Sequence, residues 1–443
     1  MKIQIKNSIA IFILTLGLAS SAQEKKWTLE ECIVYALENN ISIKQSELDL
    51  KVSDVEKLEA IGNFIPSLAG SANYGINTGA NINPVTNQFN NQTFRSASAN
   101  INSGVNIYNG LVNWKTLQRA KINKISNSYR LDKMKDDIML SITNSFLQIL
   151  FNKEQLKVLN NQNKITKENL ERTEQLIDAG TVPAGDIYDI QATDAGQEQQ
   201  IINAENTLLI SKLGLAQTLL LKEYEKFDID SEIMDVPVTN ILNETPEAIA
   251  AKAKDVVNEV KIAATNLEIA KKDVQIARSG YQPTLAGFLG YNTRFVQSNP
   301  QPVIEQLYNF DGTNFGLQIT VPVLNGFATR GRVQRSKVNQ ERSTYLLEQA
   351  ELDLERTVFQ AYNDLLNAKK TYEAALKTKE ARKFAFDFSK ERYDVGLLNS
   401  FDFNQSSLLY ENAQSEVLRT KYDYIFRIKL LEFYFGIPII QKQ

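Results

Sequence analysis

The sequence predicts a mostly α-helical chain with a membrane β-barrel, built from two copies of one unit. Three observations predict it. One is an internal repeat at an offset of 216–217 residues. Another is a set of four strands that each carry one apolar and one polar face. The third is a pair of very long segments with almost no helix breakers. Composition frames these: 443 residues, 43% hydrophobic and 23% charged, with a formal net charge of −3 and no histidine. The lack of histidine removes the commonest general base and metal ligand. One cysteine, Cys32, excludes a disulfide framework within a chain. The acidic balance and the lack of any long basic run argue against nucleic-acid binding. Past the N-terminus there is no apolar run long enough for a membrane helix.

The first 22 residues read as a secretory signal. Lys2 and Lys6 precede an apolar stretch, Ile9 to Leu18, and Ser20, Ser21 and Ala22 supply small residues for cleavage. The mature chain is expected to begin at Gln23, with its formal charge moved from −3 to −5 by loss of the two lysines.

The repeat follows. Phe64-Ile65-Pro66-Ser67-Leu68-Ala69-Gly70 matches Tyr281-Gln282-Pro283-Thr284-Leu285-Ala286-Gly287, and Asn109-Gly110 matches Asn325-Gly326. Arg119-Ala120-Lys121-Ile122-Asn123 matches Arg335-Ser336-Lys337-Val338-Asn339, and Gly180 and Asp186 match Gly396 and Asp402. A period this long marks a duplicated half, not a solenoid unit. The expected division is a signal at 1–22, a first repeat at 23–221, a linker at 222–245, a second repeat at 246–436 and a tail at 437–443.

Each half reads helix, strand, loop, strand, long helix, turn, return helix. Thr28 with Glu31 forms a capping box for the first helix, about Leu29 to Asn63. Thr245 followed by Pro246 opens its counterpart, which extends to Gly280. In the strands, Ala97, Ala99, Ile101, Val105 and Ile107 alternate with serines and asparagines. Phe315, Leu317, Ile319, Val321 and Val323 alternate with Gly316, Gln318, Thr320 and Pro322. Leu68, Ala72, Tyr74 and Ile76 alternate likewise, and Leu285, Leu289 and Tyr291 do so less sharply. The polar stretches Thr78–Arg95 and Arg294–Asn314 are expected as loops at the outer end. Taken alone, such alternation also suits a soluble hairpin on its own core.

The long helices favour the membrane reading. At 1.5 Å per residue, the segments around 114–179 and 331–396 would each run about 100 Å, too long to lie on a globular core. The return helices, 186–221 and 402–435, would run roughly 50 Å. Four strands cannot close a membrane barrel, and open edges are forbidden in hydrocarbon. Copies must therefore combine: two would give eight strands, three would give twelve.

The turns carry further signals. Gly180 and Gly396 suit left-handed helix ends. Asp186 and Asp402 stand where a helix cap is wanted, and a capping role competes with any functional role for both. Leu397 and Leu398, with Val182 and Pro183 in the matching turn, are apolar residues at a turn.

With Trp27-Thr28-Leu29-Glu30-Glu31-Cys32, Ala36-Leu37, the Pro-x-Leu before each first strand, the Asn-Gly after each second strand and Tyr393-Asp394-Val395-Gly396 before Asp402, the mature chain resembles the TolC-type outer-membrane efflux protein family. The resemblance implies a homotrimer with a twelve-stranded barrel in the outer membrane and an α-helical tunnel in the periplasm. It implies docking on a periplasmic adaptor (membrane fusion) protein and an inner-membrane pump, as a passive exit duct with no cofactor. It places Asp402, Gln405, Tyr393 and Asp186 at the pore constriction, and Gly180, Thr181, Val182, Pro183, Gly396, Leu397 and Leu398 at the docking tip. Gln405 stands where a second acid is expected and Leu398 where a locking arginine is expected, with Lys390 or Arg392 as possible substitutes. A secreted periplasmic coiled-coil scaffold or adaptor-like protein without a pore is the alternative. No G-x-S-x-G, P-loop or paired-carboxylate motif stands out in a loop.

Overall fold

The computed structural model describes residues 26–82, 87–91, 93–180, 183–222, 224–230, 234–297, 299 and 301–439. The expected signal segment lies outside them. In chain order the elements are β1 (Lys26–Trp27), α1 (Leu29–Asn39), α2 (Ile41–Gly62), β2 (Ser67–Asn77), β3 (Ala80–Ile82), β4 (Phe89–Asn91), β5 (Phe94–Asn109), α3 (Val112–Asp178) and α4 (Asp186–Leu219). They continue with β6 (Asp228–Ile229), α5 (Pro246–Val256), α6 (Asn258–Ser279), β7 (Thr284–Val296), α7 (Val303–Asn309), β8 (Gly312–Thr320), α8 (Ala328–Asp394) and α9 (Ser400–Phe435).

The chain divides into two compact units. One holds residues 46–132 and 258–352, with the strands β2 to β5, β7 and β8. The other holds residues 1–45, 133–257 and 353–443. The long helices α3 and α8 contribute to both.

The duplication is written into the backbone. Both long helices have 67 residues. Gly110 and Gly326, Leu111 and Phe327, Gly180 and Gly396, and Leu220 and Gly436 all have positive φ and pair at an offset of 216. Leu111, Leu220 and Phe327 adopt a left-handed conformation that costs an ordinary side chain roughly 1–2 kcal/mol.

In the strand unit, β2, β5, β7 and β8 form one antiparallel sheet in that order. Within one chain β2 and β8 are its edges. The Asn-Gly signals are strand-to-helix junctions. Asn109 donates to Asn113 Oδ1 (2.6 Å), and Asn113 donates to the Asn63 carbonyl (2.6 Å). In the second copy Asn325 donates to Thr329 Oγ1 (2.6 Å), which reaches the Gly280 carbonyl (3.4 Å). Glycine is required at 110, where φ is +67° and a Cβ would meet the Ser279 carbonyl at 2.8 Å. Lys115 donates to Ser279 Oγ (2.8 Å) and Arg119 pairs with Asp273 (2.7 Å), tying α3 to α6.

In the other unit, Cys32, Ile33 and Ala36 of α1 pack with Ile142, Phe146 and Ile149 of α3, Leu215 and Leu219 of α4, Ile229 of β6 and Ile425 of α9. The thiol of Cys32 is free and buried. The expected capping box is formed: the Glu31 amide donates to Thr28 Oγ1 (3.2 Å) and the Thr28 amide to Glu31 Oε2 (3.1 Å). Thr245 caps α5 through the Ala248 amide (3.3 Å), with Pro246 in the first turn. The linker returns to the start of the chain, since β6 pairs in parallel with β1. Asp228 there accepts ion pairs from Lys153 (2.7 Å) and Lys212 (2.8 Å).

Three expectations are corrected. Each opening helix is two helices, not one. Asn40 (φ −61°, ψ 133°) and Val257 (φ −72°, ψ 131°) are extended and break them. Asn40 supplies both sides of its break, with Oδ1 accepting from the Ser42 amide (2.9 Å) and Nδ2 donating to the Thr218 carbonyl (3.1 Å). The last strand ends at Thr320, so Val321 and Val323 lie outside it; Pro322 has no N–H to continue a ladder. The outer stretches are not bare loops. The first contains the β3–β4 hairpin and the start of β5, and the second contains α7, the end of β7 and the start of β8.

Candidate functional site

Two places bear on function, one in each unit. The first is the sheet. Its register lays rows straight across the strands. Leu68, Ser103, Leu289 and Phe315 share a row, as do Gly70, Ile101, Tyr291 and Thr313, and the next row joins Val105, Gly287 and Leu317. Because side chains alternate across a strand, these rows form one mostly apolar face with Ala72, Tyr74, Ile76, Ala97 and Ala99. Leu317 on it is 68% exposed. The opposite face carries Ser71–Asn100–Asn292 and Ala69–Asn102–Gly290–Asn314. A Cβ at Gly290 would collide with Asn314 Oδ1, so glycine makes room for this amide row. Among the described residues no helix is long and apolar enough to cross a membrane. The sheet is the element with a lipid-compatible face.

The second place is the set of turns that end α3 and α8. Gly396 (φ +75°) closes α8 in a Schellman arrangement: the Leu397 amide donates to the Arg392 carbonyl (2.8 Å) and the Gly396 amide to the Tyr393 carbonyl (3.0 Å). Gly180 (φ +72°) ends α3 in the same way of bending. Leu397 is 70% exposed, whereas Leu398 is half-buried. Pro183 is exposed; Thr181 and Val182 lie outside the described residues.

The aspartates are not caps, contrary to the expectation from turn spacing. Asn399 caps α9, its Oδ1 accepting from the Asp402 amide (2.8 Å). Asp402 sits three residues inside, exposed, with a carboxylate oxygen accepting from Asn399 Nδ2 (3.1 Å). Asp186 is the first residue of α4, after Gly185 in the cap position. The reason is that asparagine caps as well as aspartate, and Asn399 is the residue with extended backbone (φ −78°, ψ 164°). An acid in a first helical turn still suits the dipole.

Tyr393 joins the two halves. Its hydroxyl shares a hydrogen bond with Thr173 Oγ1 of α3 (3.0 Å), and its ring stacks on Phe403 of α9 at 4.6 Å. Beside it Arg172 pairs with the Asp394 carboxylate, donates to the Asp394 carbonyl (2.7 Å) and lies 5.9 Å from the Tyr393 ring. Arg392 instead donates to the Leu397 carbonyl (3.3 Å). Gln405 is exposed and lines a groove with Asp189, Gln197, Gln200 and Phe401, between α4 and α9. Arg172, Thr173 and Phe403 were not legible as partners of Tyr393, because their pairing crosses more than 200 residues in two cases and carries no local motif.

A polar seam continues along α3, where it meets α9 and α4. Gln162 donates to Ser407, Gln155 to Ser415 (2.8 Å) and Asn163 to Asp194 (2.7 Å). Glu411 lies within it, 3% exposed. Burial pushes its carboxyl above the usual carboxylate range, and a bond from Gln197 opposes this more weakly.

A lipid-compatible sheet with an amide-lined reverse, carried on duplicated 67-residue helices, defines a channel subunit of a bacterial outer membrane. The chain belongs to the Outer membrane efflux protein family, whose pattern matches residues 32–219 and 252–432, once in each half. It is 23% identical over 336 residues to outer membrane protein TolC of Vibrio cholerae, covering 75% of this chain and 74% of that one. It is 24% identical to the proteases secretion protein PrtF of Dickeya chrysanthemi over 54% of this chain and 50% of that one. Among solved structures, the CmeC outer membrane channel of Campylobacter jejuni superposes with a TM-score of 0.77 at 16% identity, covering 92% of this chain and 85% of that one. The protein is an outer-membrane channel with a helical tunnel in the periplasm, and is not an enzyme.

Proposed function

We propose that three copies close a twelve-stranded barrel and act as the passive exit duct of a tripartite efflux or type I secretion system. The observation that carries this reading is the sheet: four strands, two faces of opposite character and two unpaired edges. Hydrocarbon tolerates no unpaired edge, so β8 of one copy must meet β2 of the next. Twelve strands leave a channel, whereas eight are filled by side chains. Apolar stripes on the strand unit's helices support assembly. Leu48, Val52 and Val55 of α2, and Val338, Tyr345 and Leu352 of α8, are exposed at spacings of 3, 4 and 7. Such spacing is a coiled-coil seam wanting a partner helix.

In this reading the amide-rich face lines the pore and the turns of α3 and α8 form the periplasmic tip. Asp402, Gln405, Tyr393 and Asp186 stand at the constriction. The Tyr393–Thr173 bond and the Arg172–Asp394 pair hold the two hairpins together there and must be released for wide opening. Gly180, Thr181, Val182, Pro183, Gly396, Leu397 and Leu398 meet a periplasmic adaptor protein, which couples the duct to an inner-membrane pump. The test is purification in detergent followed by planar-bilayer recording. Trimers with discrete conductance are expected. A detergent-independent soluble monomer would overturn the reading in favour of a periplasmic scaffold.

A further inference from the structure

The connection between β7 and β8 holds a helix whose polarity is turned the wrong way for an aqueous loop. In α7 the residue aimed inward is polar. Gln306 is fully buried, accepts from the Val296 amide (3.0 Å) and donates to the carbonyls of Gln301 (2.7 Å) and Asn299 (3.3 Å). Glu305 and Asn309 are exposed on one side, and the remaining exposed residues are apolar. Ile304 is 69% and Tyr308 76% exposed, with Val303 beside them. On a helical wheel, Val303, Ile304, Leu307 and Tyr308 fall on one stripe, with Glu305 and Asn309 outside it.

The side of the sheet on which α7 lies gives this stripe a meaning. Thr293 Oγ1 donates to the Leu307 carbonyl (2.6 Å), and Tyr291 donates to Asp311 (3.2 Å). Thr293 and Tyr291 belong to the rows of Ala72–Ala99 and Ile101, which is the apolar face. Helix α7 is therefore fastened to the lipid side of the sheet, at the end away from α6 and α8. Its exposed stripe continues that face outward. Tyrosine at such a level is the residue that membrane interfaces select, with an apolar ring and a hydroxyl for the headgroups.

We propose that α7 is an interfacial anchor that lies in the outer leaflet of the outer membrane and fixes the height of the barrel in the bilayer, with Ile304 and Tyr308 in contact with lipid. A short amphipathic helix of this kind binds in proportion to the apolar area it buries. Lipid is favoured as occupant over a protein partner because the stripe is continuous with a face that already requires lipid. The proposal rests on the sheet's apolar face being the lipid face, and the test separates the two.

Cys32 is buried, so a cysteine placed on the surface can be labelled selectively. Tyr308→Cys, Ile304→Cys, Glu305→Cys and Leu317→Cys are each labelled with an NBD fluorophore and reconstituted in phosphatidylcholine nanodiscs, where both membrane surfaces are open to solvent. Quenching by doxyl-labelled phosphatidylcholine is compared with quenching by iodide. Probes at 308 and 304 are expected to lose most emission to the doxyl lipid and little to iodide, as at 317, with the reverse at 305. Iodide quenching at 308 and 304 with lipid quenching at 317 would overturn the proposal and leave the lipid face intact. Iodide quenching at all positions would overturn both. Quenching of 308 and 304 by neither reagent would put a second copy of the chain on the helix and equally overturn it.

Discussion

Asp402 and Asn399 divide between them two roles that turn spacing alone assigns to one residue. Asn399 accepts the Asp402 amide at 2.8 Å and is the cap, while the exposed carboxylate of Asp402 keeps its charge and accepts one bond from Asn399 Nδ2 (3.1 Å). Three copies around one axis would repeat that charge three times, and acidic rings favour cations. Asp402→Asn is expected to reduce cation selectivity and weaken block by multivalent cations in bilayer recordings, most clearly at low salt, because exposed charges are screened over about 10 Å at 0.1 M. Asn399→Ala should do the opposite: unchanged selectivity with a loss of about 1 kcal/mol in stability. If Asp402→Asn leaves selectivity and block untouched, the constriction is elsewhere. Glu411 offers a second residue-scale test. Burial raises its carboxyl, so the native state holds that proton more tightly than the unfolded chain does. Its favourable contribution is full below the ordinary carboxylate range and is lost as pH rises through the raised native value. Glu411→Gln keeps an amide able to bond Gln197 and removes the ionisation. It should be more stable than the unaltered chain at neutral pH and flatten the pH dependence of the thermal midpoint in detergent. An unchanged slope would mean that Glu411 is solvated in the assembly.

The strands make their prediction through alternation. Leu317 and Gln318 are neighbours on β8 that face opposite ways. Leu317→Arg puts a charge on the lipid face and is expected to cost about 2–4 kcal/mol of barrel stability near the midplane, whereas Gln318→Arg should be tolerated and alter only conductance. Detergent-resistant assembly on gels reads the first effect and single-channel amplitude the second. Equal damage from both would mean that neither face meets lipid. Period two made this much legible in the sequence, and the 216-residue offset made the halves legible, because glycine at 110, 180, 326 and 396 marks a positive φ that few other residues accept. What stayed hidden has the same physical source. Leu220, Leu111 and Phe327 also take positive φ, and their side chains give no sign of it. The helix breaks at Asn40 and Val257 carry neither glycine nor proline. Asn40 is held by the Thr218 carbonyl, 178 residues away, and tertiary partners of that kind leave no local pattern to find.

For the whole molecule, the fold and its outer-membrane class were within reach of the sequence, while the joining of its two helical hairpins beside the α8 turn was not. Tyr393 was identifiable as a candidate by resemblance, yet Arg172 and Thr173, which bind it and Asp394 across from α3, were not. The turn after α8 also refines the docking expectation. Of the two leucines in the second turn, Leu397 is exposed and Leu398 half-buried, so Leu397 is the one free to meet a partner and Leu398 supports the turn. An exposed leucine on a turn is unremarkable by itself. Here Val395 and Phe401, two and four residues away, are exposed as well, and several exposed apolar side chains in one turn point to a contact surface. Leu397→Asp should therefore abolish export in cells while leaving trimer assembly and bilayer conductance at their normal values. Leu398→Asp should additionally loosen the tip, with a lower thermal midpoint, because it places a charge where packing is partly closed. Export assays, gel mobility and conductance on the same two variants separate the roles. Normal export by Leu397→Asp would remove the second turn from the docking surface and leave the Gly180 turn as its only candidate.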